Sequence, residues 1–450
     1  MLRPILSAAL FGVPLLSSPA DAAPEPGSDL PDVRFSAAFF VDGVAYDATQ
    51  NLRVQDSLGI YNVHGSHEHE GEHEESGHHH SHGGNFDTGL NLNNAEAAFG
   101  VLAPGWLDGR MNLSMSSDGL ELEEAWLRTQ FLPAGLQLKG GKMLSDIGYL
   151  NNKHPHAWDF VNQALPYEML LAGGLSGTGA QLNWLAPTPF YLRLGAEALT
   201  GGNEGIAAHV GSTENEETGE TINFASKGQW PNVWTAFAKM GGEIAPNHEV
   251  LGGLSWVHSD QHQELHEYHP GINDATHGLQ GEASMLGLDL VYRYDAPGEG
   301  GAGDITVQGE YWYQNKDMHL VYHELKPKLV GQPRDLSVDA AYIQALYGIF
   351  PRWQIGARLE SAGMTHEASR AGSTLGPTNT STFDNLDRIS GVVTWNISHN
   401  QLLRFQVSNI SGSFAEEVSG MEKEQATHKS YNEFFLQYQV NFGTHGAHGF

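Results

Sequence analysis

The sequence predicts an all-β protein, a transmembrane antiparallel β-barrel of about 16 strands, and three observations predict it. Apolar and polar residues alternate with period two over most of the chain, and convincing helix periodicity is nearly absent. The alternating segments run about ten residues, the length a tilted strand needs to cross a bilayer. Their connections alternate between tight turns and long polar loops, as in an outer-membrane barrel with short periplasmic turns and long external loops. A soluble β-sandwich or propeller does not demand that alternation.

Taken in order, residues 1–22 form a signal peptide, with Arg3 as positive start, Ile5 to Leu16 as apolar stretch and Ala20-Asp21-Ala22 as cleavage site. The apolar stretch is short and interrupted by Pro14, which excludes a spanning helix. Residues 23–32 read as a short periplasmic segment and 33–450 as the barrel. Strands are expected to begin near residues 33, 90, 107, 121, 135, 176, 189, 231, 248, 283, 303, 339, 353, 387, 401 and 431. MLGLDLVYRY illustrates the pattern, with Leu286, Leu288, Leu290, Tyr292 and Tyr294 opposite Gly287, Asp289, Val291 and Arg293. LAPG (102–105), LPAG (132–135), APNH (245–248) and FPRW (350–353) are tight turns between long loops, notably a His-rich external loop at 44–89 and a candidate constriction loop at 144–175. The connection at 117–120 is short where a long one is due. Trp106, Tyr191, Trp256, Tyr292, Tyr311, Trp353 and Trp395 lie near strand ends and suit aromatic girdles.

The formal charge is −30, with 53 acidic residues against 23 basic ones, so nucleic acid is excluded as a partner and cations are attracted. With no cysteine, the chain has neither disulfides nor a cysteine nucleophile. No G-x-S-x-G occurs either, and the chain is read as a non-enzyme. The expected location is the outer membrane of a Gram-negative bacterium, with its lipid as partner and a homotrimer as the assembly to consider.

Residues 64–82 read HGSHEHEGEHEESGHHHSH. Of the 24 histidines, only His248, His399, His445 and His448 fall on the side of the turns and termini. Imidazole and carboxylate ligate zinc, copper and nickel. The candidate metal ligands are therefore His64, His67, His69, His73, His78, His79, His80 and His82 in the first loop, with His154, His156 and Asp159 in KHPHAWDF. His262, His266 and His269 in HQELHEYH share a face if that loop is helical, and His319 and His323 in HLVYH share a side in helix or strand. HEGEH (69–73) matches H-E-x-x-H formally, but Gly71 and the repetitive composition remove the rigid helix that a zinc protease needs.

Inward positions carry a second pattern. Arg34, Arg110, Arg128, Lys139, Arg193, Lys239, Arg293, Arg358 and Arg404 lie on polar strand faces near the periplasmic ends, while Glu124, Glu197 and Glu360 lie nearer the external ends. Asp289 and Glu310 are further lumen positions. These groups either line a water-filled channel or brace its wall.

MLSDIGYLNNKHPHAWDFVNQALPYEMLLAGGLSGTGAQLNWLAPTPFYLRLGAEAL (143–199) and the ending NFGTHGAHGF resemble a proteobacterial outer-membrane family associated with zinc-responsive regulation. Its members are often labelled zinc-regulated TonB-dependent receptors, and the barrel is similar to phosphate-selective porins. The resemblance implies zinc, or another divalent transition metal, as the bound or transported ion. The chain departs from TonB-dependent receptors in leaving no room for an N-terminal plug before the first strand. The expected function is a porin-like channel that aids metal uptake through His/Glu-rich loops. A general or anion-preferring porin with metal-buffering loops, and a TonB-dependent receptor for a metal chelate, are the alternatives.

Overall fold

The computed structural model describes residues 33–60, 86–116, 119–215, 218–226, 230–267, 275–369, 385–417 and 424–443. The signal peptide, the 23–32 segment, the His64–His82 tract and His269 lie outside the described residues. Sixteen strands close into one antiparallel barrel. They begin with β1 (Arg34–Ala48), β2 (Gly89–Ala103), β3 (Leu107–Ser116), β4 (Gly119–Thr129) and β5 (Leu136–Leu144). After a long loop come β6 (Ser176–Leu185) and β7 (Tyr191–Leu199), then a separate hairpin of β8 (Ser212–Glu214) and β9 (Thr221–Asn223). The barrel resumes with β10 (Val233–Ala245), β11 (His248–His266), β12 (His277–Tyr294), β13 (Ile305–His323) and β14 (Pro333–Phe350). It finishes with β15 (Trp353–Ser369), β16 (Leu386–Ser398), β17 (Gln401–Glu417) and β18 (Glu424–Gly443), which pairs with β1.

The period-two pattern explains the two faces. Leu254, Leu286, Leu288, Leu290, Ile343, Leu359 and Ile389 are each more than half exposed on the outside, while Asp289, Gln344, Arg358, Glu360 and Gln437 are buried within. An apolar belt of this size around a polar interior suits hydrocarbon as its solvent. Trp353 and Trp395 stack 5.4 Å apart at the turn end, where an aromatic girdle belongs. No helix among the described residues is long and apolar enough to cross a membrane, and the crossing elements are strands.

The wall is uneven. Strands β3 to β7 have 9 to 11 residues, whereas β11 and β13 have 19. At about 3.3 Å per residue the tall strands reach roughly 60 Å, well past a bilayer core. This accounts for three displaced starts: β12, β14 and β18 begin at His277, Pro333 and Glu424 rather than near 283, 339 and 431. Their upper ends carry polar residues on the outer face, such as Glu282, Asp335 and Ser337, while Leu279, Leu336 and Val338 are buried inside, so hydrogen-bonded pairing continues where the lipid-facing apolar stripe has stopped.

The main apolar core lies inside the barrel. Ile147, Leu165, Tyr167, Met169 and Leu170, from the loop between β5 and β6, pack against wall residues Met285, Trp312 and Tyr342. Leu165–Leu170 forms the short helix α1, with every residue buried. The 145–175 segment thus fills much of the lumen, beyond the narrowing expected of it.

Candidate metal centre where the inserted loop meets the wall

The inserted loop contacts every barrel strand from β6 round to β18. Gln181 and Arg193 donate to Asp146, Glu197 accepts from the Asp146 amide, and Lys239 donates to the Gly148 carbonyl. Ser255 and Glu310 accept amides of Gly148 and Leu150, both at 3.0 Å, and Arg293 donates to the Tyr149 hydroxyl at 3.0 Å. Gln344 donates to Asp159 at 2.8 Å, Arg358 to Asn162 at 2.7 Å, and Arg388 to Glu168 at 3.1 Å. Arg404 donates to the Trp158 carbonyl, Gln406 accepts the Val161 amide, and Gln439 donates to the His156 carbonyl. Gly148 approaches the wall closely. It sits at φ +54°, and a Cβ there would collide with Tyr167, Glu310 and Trp312.

These contacts settle where the lumenal cations go. Lys239 pairs with Asp289 at 2.9 Å, and Arg358 with Glu360 at 2.9 Å. Arg128 grips Asp108 through two bonds of 3.0 and 2.6 Å, and Lys139 lies over the Trp126 ring. Arg110 donates to Asn112 at 2.9 Å, while Arg34 is exposed at the turn end. Apart from Arg34, each of these cations stands against a wall partner. Arg388, which pattern reading did not single out, is among the most deeply buried, bonded to Glu360 at 2.6 and 3.0 Å.

The chemistry concentrates where the loop returns toward β2, β3 and β4. Pro155 starts a 3-10 turn, Pro155–Ala157, and restricts His154 to extended backbone. Both imidazoles thereby point at the wall of β1 to β4, with parallel rings 5.8 Å apart. His154 Nδ1 lies 2.9 Å from Glu123 Oε2 and its Nε2 3.0 Å from Glu124 Oε2. His156 Nδ1 lies 2.8 Å from Glu96 Oε2, and its ring stacks on Phe40 at 3.8 Å.

Glu123 and Glu124 are consecutive, and a regular strand would send them to opposite faces. The ladder pairs Asn112 with Glu124 but Leu113 with Leu122, leaving Glu123 as the extra residue of a bulge. Two successive acids interrupting the alternation in LELEEAWL were the visible trace of it. Glu96, Glu123 and His154 bring one ligand atom each within 4.8 Å of one another, all buried. Glu96 Oε1 has no hydrogen-bond partner among the described residues; Arg110 stands 3.9 Å from it. Glu123 and His154 also border a cavity of about 50 Å³, room for a water or a small ion.

Burial alone would lower the basicity of His154, but Glu96, Glu123 and Glu124 hold it well above its ordinary value of 6.5. For His156 burial wins, and its value falls below 6.5 despite the Glu96 contact. The three carboxylates thus favour the cationic form of the His154 ring, with Arg110 3.9 Å from Glu96 and 4.0 Å from Glu124. Two imidazoles and three carboxylates form a donor set that suits zinc and its first-row neighbours.

Other expected ligands stand elsewhere. Asp159 is held by Gln344, because the chain runs on across the lumen after Trp158. His262 and His266 lie on a strand rather than a helix, and Glu264 between them accepts from both, at 2.8 and 2.9 Å. A bulge at Val321 separates the other pair: His319 is exposed beside Gln280, while the His323 ring lies 5.8 Å from that of His277, tilted by 35°.

No family model matches the chain. An uncharacterized protein of Aquifex aeolicus (strain VF5) is 29% identical over 429 residues, covering 94% of this chain and 80% of that relative. The trimer form of in-vitro folded OmpT, an outer-membrane protein of Vibrio cholerae, aligns with 92% of this chain and 100% of its own, at 11% identity and a TM-score of 0.49. The outer-membrane channel DcaP of Acinetobacter baumannii aligns with 91% of this chain and 97% of its own, at 11% identity and a TM-score of 0.47. The two structural likenesses are of barrel plan alone.

Proposed function

We propose that this chain is an outer-membrane, porin-like barrel that aids uptake of a divalent transition metal, zinc first among them. One observation carries the reading: Glu96, Glu123 and His154, from three separate segments, converge in a buried site with ligand atoms within 4.8 Å. Glu124 and His156 stand beside them as further donors. The ion is cargo. It would replace the proton on His154, since only the neutral ring ligates. The eight histidines between His64 and His82 would raise the local metal concentration through weak, exchanging contacts before the ion reaches the lumen. The test is zinc influx into liposomes holding the full chain and an internal zinc-sensitive dye. Faster influx with the unsubstituted chain than with Glu123→Gln is the expected result; equal rates overturn the reading.

A second reading, energy-coupled passage of a metal chelate, is favoured by the bonding of the inserted loop to every barrel strand from β6 to β18. Passage would then require that loop to be moved. Zinc binding without influx in liposomes lacking an energy source is the outcome that selects it.

A further inference from the structure

Three neighbouring strands of the tall wall carry a histidine in one row. His266 closes β11, His277 opens β12 and His323 closes β13; the ladder pairs His266 with His277 and His277 with His323. The first two rings lie 5.0 Å apart and nearly parallel, the second two 5.8 Å apart. Two separate bulges create the row. One lies between Ser259 and His262 on β11, and the other is Val321 on β13, opposite Gly278 and Leu279. Each bulge reverses the pleat beyond it. Without them His266 and His323 would face away from the side that His277 occupies.

Hydrogen-bond partners orient the rings of His266 and His277. Glu264 is neutralised by Lys316 at 2.6 Å, so the carboxylate adds no net charge. His262 donates Nε2–H to Glu264 and accepts the Ala208 amide at Nδ1, which commits both its nitrogens. His266 donates Nε2–H to Glu264, and His277 donates Nδ1–H to the Ala275 carbonyl at 3.1 Å, leaving a lone pair on Nε2. A carboxylate or carbonyl on one ring nitrogen is the arrangement that orients metal-ligating imidazoles. Adjacent strands about 4.8 Å apart let the two outer rings lean toward an ion over the middle one.

We propose that His266, His277 and His323 form a second transition-metal site, all-imidazole and without net charge, for a borderline divalent cation such as zinc, copper or nickel. Three protein ligands leave a fourth position for water or a passing ligand. That makes the row an exchange station at the loop end of the barrel, independent of the carboxylate-rich centre where the inserted loop meets the wall.

The test is anomalous scattering at the zinc edge from crystals of the full chain soaked in zinc chloride, for the unsubstituted protein and for His277→Phe and His323→Gln. The expected result is a peak at about 2.0–2.1 Å from a nitrogen of each histidine, lost in both variants while any peak at Glu123 and His154 persists. A peak at the row with none at the loop centre upholds this site and counts against the function proposed above. Absence of a peak at the row in the unsubstituted protein, or a peak that survives both substitutions, overturns the proposal.

Discussion

Two of the inserted loop's fastenings use buried charges in opposite designs. Near its start the loop brings imidazoles, His154 and His156, to wall carboxylates Glu96, Glu123 and Glu124. At α1 the loop brings a carboxylate, Glu168, to wall guanidinium Arg388, which also holds Glu360. A guanidinium has no acceptor lone pair and keeps its charge at any ordinary pH. That fastening is permanent. An imidazole can give up its proton and offer the lone pair to a metal. Similar buried carboxylates therefore make a brace in one place and a candidate metal centre in the other, according to whether the partner cation can be exchanged.

Breaking the brace gives the largest effect. Arg388→Met leaves Glu168 and Glu360 without their shared cation and is expected to cost about 3–5 kcal/mol, read as a lower temperature for the shift from folded to unfolded gel mobility. Its zinc content should not change. Next comes zinc itself, which at a hundredfold excess over its dissociation constant should stabilise the unsubstituted chain by about 2.7 kcal/mol. His154→Ala should lose the share that comes from the loop centre, and without metal should cost about 1–3 kcal/mol from carboxylates left poorly paired.

A smaller effect follows from pH. The folded value of His154 is raised, so its contribution is fully present below the unfolded value of about 6.5 and fades as pH climbs through the folded one. Metal-free protein should lose stability on the alkaline side, more so than His154→Ala, in unfolding curves recorded across pH. Zinc binding at this centre should release a proton at neutral pH, measurable by calorimetry in buffers of different ionisation heat. Smallest for folding is removal of residues 64–82, since loop closure changes by only about 0.6 kcal/mol per halving of length. The same deletion should lower zinc bound per chain by about two, as eight histidines can furnish two sites of three or four ligands.

The barrel was legible because its physics is periodic. A strand with lipid on one side and a polar lumen on the other writes period two into the sequence, and turn lengths record the side of each connection. The upper ends of β12, β14 and β18, whose outer faces meet no lipid, left no such trace. His154 and His156 were legible as a fixed bend around Pro155. Their partners Glu96 and Glu123 were not, because nothing local says where a 31-residue loop lands, and because Glu123 faces inward only through a bulge. Sequence proximity misplaced Asp159 for the same reason. In HQELHEYH the spacing of four suits a strand as well as a helix, and only cross-strand register reveals that His277 and His323 are the neighbours of His266.

The most direct measurement is equilibrium dialysis of zinc against the full chain in detergent at neutral pH, compared with His154→Arg and Glu123→Gln. Arginine keeps the positive charge among the three carboxylates but cannot ligate, so folded gel mobility should persist while one tightly held zinc per chain disappears. Glu123→Gln should weaken the same equivalent. If both variants fold and retain as much tightly bound zinc as the unsubstituted chain, the junction of loop and wall is a brace like the one at Arg388, and the claim that it holds an exchangeable metal is wrong.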